Sequence, residues 1–232
     1  FYAKSALIAR DAFPAMVRTR FLSWYFLGSL VMALLAMLTK ENSFTLPFMI
    51  VMLEIFFFTK SWKEVPKILI YLLPYILIVL SIHAVTRPGT SFVETVTTKL
   101  PAANVIEGRE GKIERREYLL TQINVVRTYI RLLVLPVNQN LEHDYPISRT
   151  FFEAKTILSF IFLLTLILLA LVLFFKQRLV SFGILFFFLA LAIESSIIPI
   201  ADVMFEHRLY LPSFGFFIVF VALFLHLSKK IQ

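Results

Sequence analysis

Residues 156–175 read TILSFIFLLTLILLALVLFF, twenty positions without a single charge. A bilayer core about 30 Å thick is crossed by about 20 mostly apolar helical residues, so this stretch alone announces a membrane-spanning helix. Working outward, Leu179–Ala201 carries only Glu194 and Leu209–Ser228 only His226. On the N-terminal side, Ile68–Thr86 is uncharged apart from the titratable His83, and Phe21–Thr39 has no charge at all. Asn42–Thr59 is slightly short, is interrupted by Glu54 and closes on Phe56, Phe57 and Phe58. The six runs predict spans over about 21–39, 42–59, 68–86, 156–175, 179–198 and 211–228.

Composition agrees. Of the 232 residues, 59% are hydrophobic and 16% charged, with a mean hydropathy of +0.82; a soluble domain carries about 45–50% and about 25%. A water-soluble globule, a disordered segment and a disulfide-stapled secreted module are excluded. With no Cys there are no disulfides, thiolate nucleophiles or Cys-ligated metals. Against 26 Phe stand 6 Gly, and no Gly-x-x-x-Gly pair occurs, so the interior is expected to be filled by bulk and not by close backbone approach. The chain starts at Phe1 within an apolar stretch and reads as a piece of a longer protein.

Direction follows from where Lys and Arg gather in short loops. Lys4, Arg10, Arg18 and Arg20 precede the first span, and Lys60, Lys63 and Lys67 lie between the second and third. Lys176 and Arg178 follow the fourth, and Lys229 and Lys230 end the chain. All fall on one side, expected to be the cytoplasm, if the chain alternates through six spans. Residues 39–42, the loop 87–155 and residues 199–212 then share the opposite face. This requires that 114–135 not cross. Leu119, Ile123, Val126, Ile130 and Leu133 recur there at helical spacing, while Asn124, Arg127 and Arg131 form a polar seam with Thr121 and Thr128 beside it. Arginine at the bilayer centre costs about 2.5–3.5 kcal/mol on insertion scales. The segment is therefore expected to lie in the interface plane, ended by Pro136, which lacks an N–H. Arg87–Arg116, with Pro88-Gly89, Pro101 and Gly108, reads as an exposed loop. The expected fold is all-α: one membrane domain, a bundle of about six transmembrane helices with one in-plane amphipathic helix on the outer face.

The three outer segments hold most of the unusual chemistry. Lys40-Glu41 is either an interfacial ion pair, worth at most a fraction of a kcal/mol when exposed, or a positive charge offered to a phosphate with an acid beside it. Asn138-Gln139-Asn140-Leu141-Glu142-His143-Asp144-Tyr145-Pro146 is either a plain turn or a polar, aromatic loop suited to sugar hydroxyls. Glu142, His143 and Asp144 lack the ligand spacing of a metal site, so a divalent cation is not predicted. In residues 200–213, Asp202 and Glu206 share a helical face at i, i+4, followed by His207, Arg208 and Tyr210. Arg208 is either a snorkelling anchor or a bidentate phosphate contact. Glu194, inside a span, is a site candidate or a buried partner for Arg208 or Lys40. Glu54 is expected to pair with Lys60 or sit among headgroups, and His83 and His226 are expected at the interface. The net charge of +8 is accounted for by cytoplasmic clusters meeting anionic lipid. The basic residues are too dispersed for a nucleic-acid platform.

Leu35-Ala36-Met37-Leu38-Thr39-Lys40-Glu41, the stretch from Leu120-Thr121-Gln122 through Arg131-Leu132-Leu133 to Pro136-Val137-Asn138-Gln139-Asn140, and Glu206-His207-Arg208-Leu209-Tyr210-Leu211-Pro212-Ser213 together resemble a membrane glycosyltransferase-like family. It includes the transmembrane and tetratricopeptide-repeat O-mannosyltransferase-like proteins and their bacterial relatives, within the broader GT-C class. The resemblance runs from about Phe21 to Phe217 and implies the C-terminal part of a membrane module. Such enzymes work on the lumenal or periplasmic face, taking a sugar from a polyprenyl-phosphate carrier and passing it to a protein or glycan acceptor. Their main catalytic acid lies in a first outer loop, to which no stretch of this chain corresponds.

Independently of the resemblance, such chemistry needs cations near a leaving phosphate and a carboxylate to activate a hydroxyl. Lys40, Arg127, Arg131 and Arg208 are the candidates for the carrier phosphate, and Glu41, Asp144, Asp202 and Glu206 for the carboxylate. Asn138, Gln139, Asn140, His143, Tyr145, His207 and Tyr210 are candidates for substrate contact. No cofactor is expected beyond the lipid-linked sugar. Two rivals remain: a transporter or flippase for a lipid-linked or anionic substrate, which would place polar groups near mid-bilayer, and a non-catalytic membrane anchor for a repeat domain. Both ends of the chain are expected to be cytoplasmic, in a bacterial inner membrane or an ER-type membrane.

Overall fold

The computed structural model describes residues 24–39, 41–59, 65–86, 105–108, 111–141, 143–192, 195 and 203–231. The chain divides into two compact units, Phe1–Phe92 and Val93–Gln232. Nearly all of the described structure is helix.

In the first unit, α1 (Trp24–Thr39) is followed by a 3-10 turn (Glu41–Thr45), α2 (Leu46–Leu53) and α3 (Val65–Thr86). Pro47 occupies the first turn of α2, where its missing N–H costs nothing. The end of α2 widens into a π-turn, Glu54–Phe58. Phe26, Ala33, Ile50, Ile68, Leu72 and Tyr75 form the core. The Tyr75 hydroxyl reaches Ser29 Oγ at 2.6 Å, and its ring meets Phe26 edge-on at 6.0 Å. Glu54 is buried and does not lie among headgroups; Lys60 lies outside the described residues.

The second unit opens with an antiparallel hairpin of β1 (Val105–Gly108) and β2 (Gly111–Glu114), in register Val105↔Glu114 through Gly108↔Gly111. The expectation of a loop over 87–116 is corrected for its described residues: 105–108 and 111–114 are paired strands that end and begin at Gly108 and Gly111, Arg115 and Arg116 start a helix, and Ile113 is buried. β2 runs directly into α4 (Arg115–Val134) through a capping box, Glu114 with Glu117. Then come α5 (Ala154–Leu173), α6 (Arg178–Leu191), a 3-10 turn (Glu206–Leu209) and α7 (Tyr210–Ile231).

Each of the six apolar runs contains a helix, but they differ in reach. Among the described residues only Ala154–Leu173 and Glu206–Ser228 are long and apolar enough to cross a membrane, two and not six. Twenty residues of α5 span about 30 Å at 1.5 Å per residue, whereas the 14 of α6 span about 21 Å. The long helices turn their apolar sides outward: Leu158 and Val172 on α5, and Phe220 and Phe224 on α7, are each 60% or more exposed. Water penalises such a surface and hydrocarbon does not.

α4 was expected to lay its polar seam against headgroups; instead Thr121 and Asn124 are fully buried against protein. Asn124 Nδ2 donates to Ser148 Oγ and Thr156 Oγ1, each at 2.9 Å, and its Oδ1 accepts from Ser159 Oγ at 2.7 Å. Ser148 N donates to Thr121 Oγ1 at 2.9 Å. A buried amide with both ends paired locks α4, the irregular segment 145–150 and the start of α5 together. On the other side of α4, Tyr118, Val125, Tyr129 and Leu132 enter a core with Leu163, Phe187, Leu191, Met204 and Leu209.

α6 and α7 meet through glycine, contrary to the expectation of bulk alone. A Cβ on Gly183 would stand 2.7 Å from Gly215 O, and one on Gly215 would stand 2.5 Å from Gly183 O. The two glycines belong to different helices, so no spacing within one segment betrays them.

Candidate functional site

The centre of the second unit is the segment 203–208, which α4 grips from one side and the loop after α4 from another. Tyr129, fully buried on α4, donates its hydroxyl hydrogen to Phe205 O at 2.9 Å and accepts from Phe205 N at 3.1 Å. One turn pair earlier on the same face, Gln122 Nε2 donates to Val203 O at 2.9 Å. Seven residues apart, these two side chains project in the same direction, two turns of 3.6 residues. They hold one extended stretch of backbone that has no regular ladder of its own.

The second grip comes from the amide-rich loop. Pro136 does end α4; Leu135 N still donates to Arg131 O at 2.7 Å. The chain then reverses with Asn138 at φ 56°, the left-handed region that Asn tolerates better than most residues. This brings Asn140 and His143 onto Glu206. Glu206 Oε1 accepts from Asn140 N at 2.7 Å and lies 2.7 Å from His143 Nε2. Main-chain bonds run beside it: His143 N donates to Met204 O at 3.5 Å and Glu206 N to Leu141 O at 3.4 Å. His143 and Glu206 keep about a fifth of their side-chain surface, 20% and 17%, so the pair is partly sheltered yet open to a ligand.

Arg208 lies underneath. It is 5% exposed, its Nη1 donates to Val203 O at 3.4 Å, and its guanidinium sits 5.2 Å from the Phe205 ring centroid. The His207 ring lies 4.9 Å from the same ring, tilted 33°. Phe205 thus carries the turn: its backbone is clamped by Tyr129, and its ring meets the His207 ring and the Arg208 guanidinium.

The remaining predicted residues distribute as follows. Tyr145 is half-buried, its hydroxyl 2.9 Å from Thr128 Oγ1 and its ring 4.8 Å from Lys155 Nζ. Arg127 is half-buried, and its Nε is shielded from solvent without a hydrogen-bond partner. Arg131 is exposed and donates from Nη1 to Val137 O at 2.7 Å, closing the C-terminal end of α4. Asn138, Gln139, Asp144, His207 and Tyr210 are exposed. Lys40, Glu142, Glu194 and Asp202 lie outside the described residues, and Glu41 falls in the 3-10 turn of the first unit. Among the described residues no three of His, Cys, Asp or Glu converge as metal ligands would. His226, in the last turns of α7, is exposed.

Sequence reasoning brought out Asn140, His143 and Glu206 but missed Gln122, Tyr129 and Phe205, which place them. The i, i+7 spacing of Gln122 and Tyr129 was the available signal. Chemically the arrangement offers a carboxylate oriented by a backbone N–H and an imidazole, at the rim of a turn with a buried arginine. Comparison with protein-family models, with curated proteins and with solved structures returns no match.

Proposed function

We propose that the chain is part of a polyprenyl-phosphate-sugar-dependent glycosyltransferase of the GT-C class, O-mannosyltransferase-like, embedded in a membrane through helices that include α5 and α7. In this reading the chain passes back and forth through the bilayer. The basic clusters and both ends of the chain lie in the cytoplasm, α4 lies in the interface plane, and the working face is periplasmic or lumenal. The lipid-linked sugar and the acceptor meet at the rim formed by 138–145 and 203–208. Support comes from the bias of Lys and Arg to one set of loops, the outward apolar faces of α5 and α7, and the family resemblance of the motifs.

The observation that carries the reading is the Asn140–His143–Glu206 cluster, which joins two segments distant in sequence on one carboxylate oxygen. In the proposed step the acceptor hydroxyl oxygen attacks the sugar's anomeric carbon. The bond from that carbon to the carrier phosphate oxygen breaks, and its electron pair leaves with the phosphate. The hydroxyl proton passes to Glu206, whose Oε1 is held by Asn140 N and His143 while Oε2 takes the proton. Arg127 and Arg131 of α4, four residues apart on one face, meet the phosphate charge as it develops; Arg208 holds the turn from beneath.

The test is sugar transfer by the intact membrane protein from polyprenyl-phosphate-mannose. Glu206→Gln keeps an acceptor for Asn140 N and removes only the base. It is expected to lower transfer by about 100-fold or more, within the usual range for a positioned base, with unchanged membrane insertion. Wild-type transfer by Glu206→Gln would overturn the assignment.

A further inference from the structure

A cavity of about 260 Å³ lies between α4, α5 and the end of α6, apart from the Glu206 cluster. Its walls are Val126, Leu163, Ile167, Phe188 and similar apolar side chains, and among the described residues no charged one lines it. Two polar residues, Gln122 and Ser195, interrupt the wall, and Gln122 Oε1 and Ser195 Oγ are shielded from solvent with no hydrogen-bond partner among the described residues. Gln122 is 2% exposed. Its amide cannot turn over to relieve this, because Nε2 donates to Val203 O at 2.9 Å and a carbonyl oxygen cannot face a carbonyl. Oε1 is therefore a fixed acceptor waiting for a donor, and a serine hydroxyl can both give and take one hydrogen bond.

We propose that this cavity binds a neutral single-chain amphiphile whose terminal hydroxyl meets Gln122 Oε1 and Ser195 Oγ while its hydrocarbon chain fills the apolar part. The occupant is apolar because the wall is, hydroxylic because one atom must donate to Gln122, and uncharged because no cation or anion among the described residues lines the site. An enclosed apolar cavity of about 150 Å³ accepts a six-carbon ring; this one, about 260 Å³ and open to the surface, has room for a chain of about ten carbon atoms. The site is independent of the glycosyltransferase reading. A carrier phosphate is an anion and is excluded from it by the same reasoning.

The test uses the purified full-length protein in nanodiscs and decan-1-ol bearing a mid-chain diazirine. On irradiation the label is expected on α4 and α5 peptides around Val126 and Leu163. Decan-1-ol is expected to compete about tenfold better than decane, the gain of one or two net hydrogen bonds, and decyl phosphate is expected not to compete. Ser195→Ala, which breaks no hydrogen bond within the described protein, should reduce the alcohol's advantage several-fold. Ile167→Trp should abolish labelling. Equal competition by decane, preferential competition by decyl phosphate, or undiminished labelling of Ile167→Trp would each overturn the proposal. So would absence of labelling in the wild type, the result expected if only water occupies the polar end. Sugar transfer plays no part in the readout, so this inference and the proposed function fail separately.

Discussion

Replacing Gly183 by Ala should destabilise the protein, although Ala is the better helix former. On an exposed helix the substitution would stabilise by about 0.5–1 kcal/mol, because Gly gives up more backbone freedom on folding. Here the new methyl would stand 2.7 Å from Gly215 O and 2.7 Å from Val219 Cγ2, well inside the 3.5–4.0 Å at which carbon packs. The carbonyl belongs to the backbone of α7, so it moves only if the helix moves. Overpacking of this kind costs about 1–3 kcal/mol. The clash outweighs the propensity gain, and a net loss of about 1–2 kcal/mol is expected. Gly215→Ala should behave alike, since its methyl would meet Gly183 O at 2.5 Å and Phe187 N at 2.9 Å. Once one alanine has parted the helices the second meets less resistance. The double variant should therefore lose less than the sum of the singles, by about 0.5 kcal/mol or more. The assay is unfolding of the purified protein in mixed micelles titrated with sodium dodecyl sulfate and followed by far-ultraviolet circular dichroism. Stabilisation by Gly183→Ala, or strict additivity, would refute the close approach of α6 and α7.

Asn124→Ala should cost about 3 kcal/mol in the same titration, near 1 kcal/mol for each of its three buried bonds; a loss below about 0.5 kcal/mol would mean the network does not form. Tyr129→Phe removes both bonds to Phe205 and should cost about 1–3 kcal/mol, with limited proteolysis in 203–206 as a second measure; unchanged cleavage would speak against the clamp. Acid should weaken the entry to α5. Hydrogen bonds from Thr150 N and Arg149 N hold the Glu153 carboxyl below its ordinary value of 4.5. Its contribution is present above the unfolded pKa and is lost as pH falls through the lower folded one. Glu153→Gln should accordingly show a smaller loss of stability below pH 4.5, and identical acid profiles would count against this role.

What could be seen in the sequence follows from the kind of order each element uses. A long uncharged run such as 156–175 has few alternatives to a helix, because backbone polar groups must be paired internally wherever hydrocarbon surrounds them. α4 is different. Its stripe of Thr121, Asn124 and Thr128 is the same pattern whether it faces headgroups or buried hydroxyls, and periodicity reports a face without saying what lies opposite. The deciding partners, Ser148, Thr156 and Ser159, are ordinary residues scattered over two other segments. The hairpin 105–114 was hidden because four-residue strands offer too few alternations to outweigh the glycines around them, and the Gly183–Gly215 contact because each glycine is unremarkable in its own helix.

The site divides along the same line. Uneven distribution of Lys and Arg can assign loops to a shared face, since the bilayer acts as a single coordinate along which charge is sorted. Whether such loops meet is a further matter, and here Asn140 and His143 do reach Glu206. Their meeting depends on Val203 and Phe205, whose backbone atoms no residue pattern advertises. The Val203 carbonyl takes hydrogen bonds from Gln122 and Arg208 together, and a carbonyl has two lone pairs to offer. Phe205 presents both its N–H and its C=O to one phenol. Backbone held by side chains on one side and by the main chain of Leu141 and His143 on the other can carry Glu206 at its rim without a full sheet behind it. The same arrangement determines the Gln122 amide orientation, and so leaves its Oε1 unpaired among the described residues.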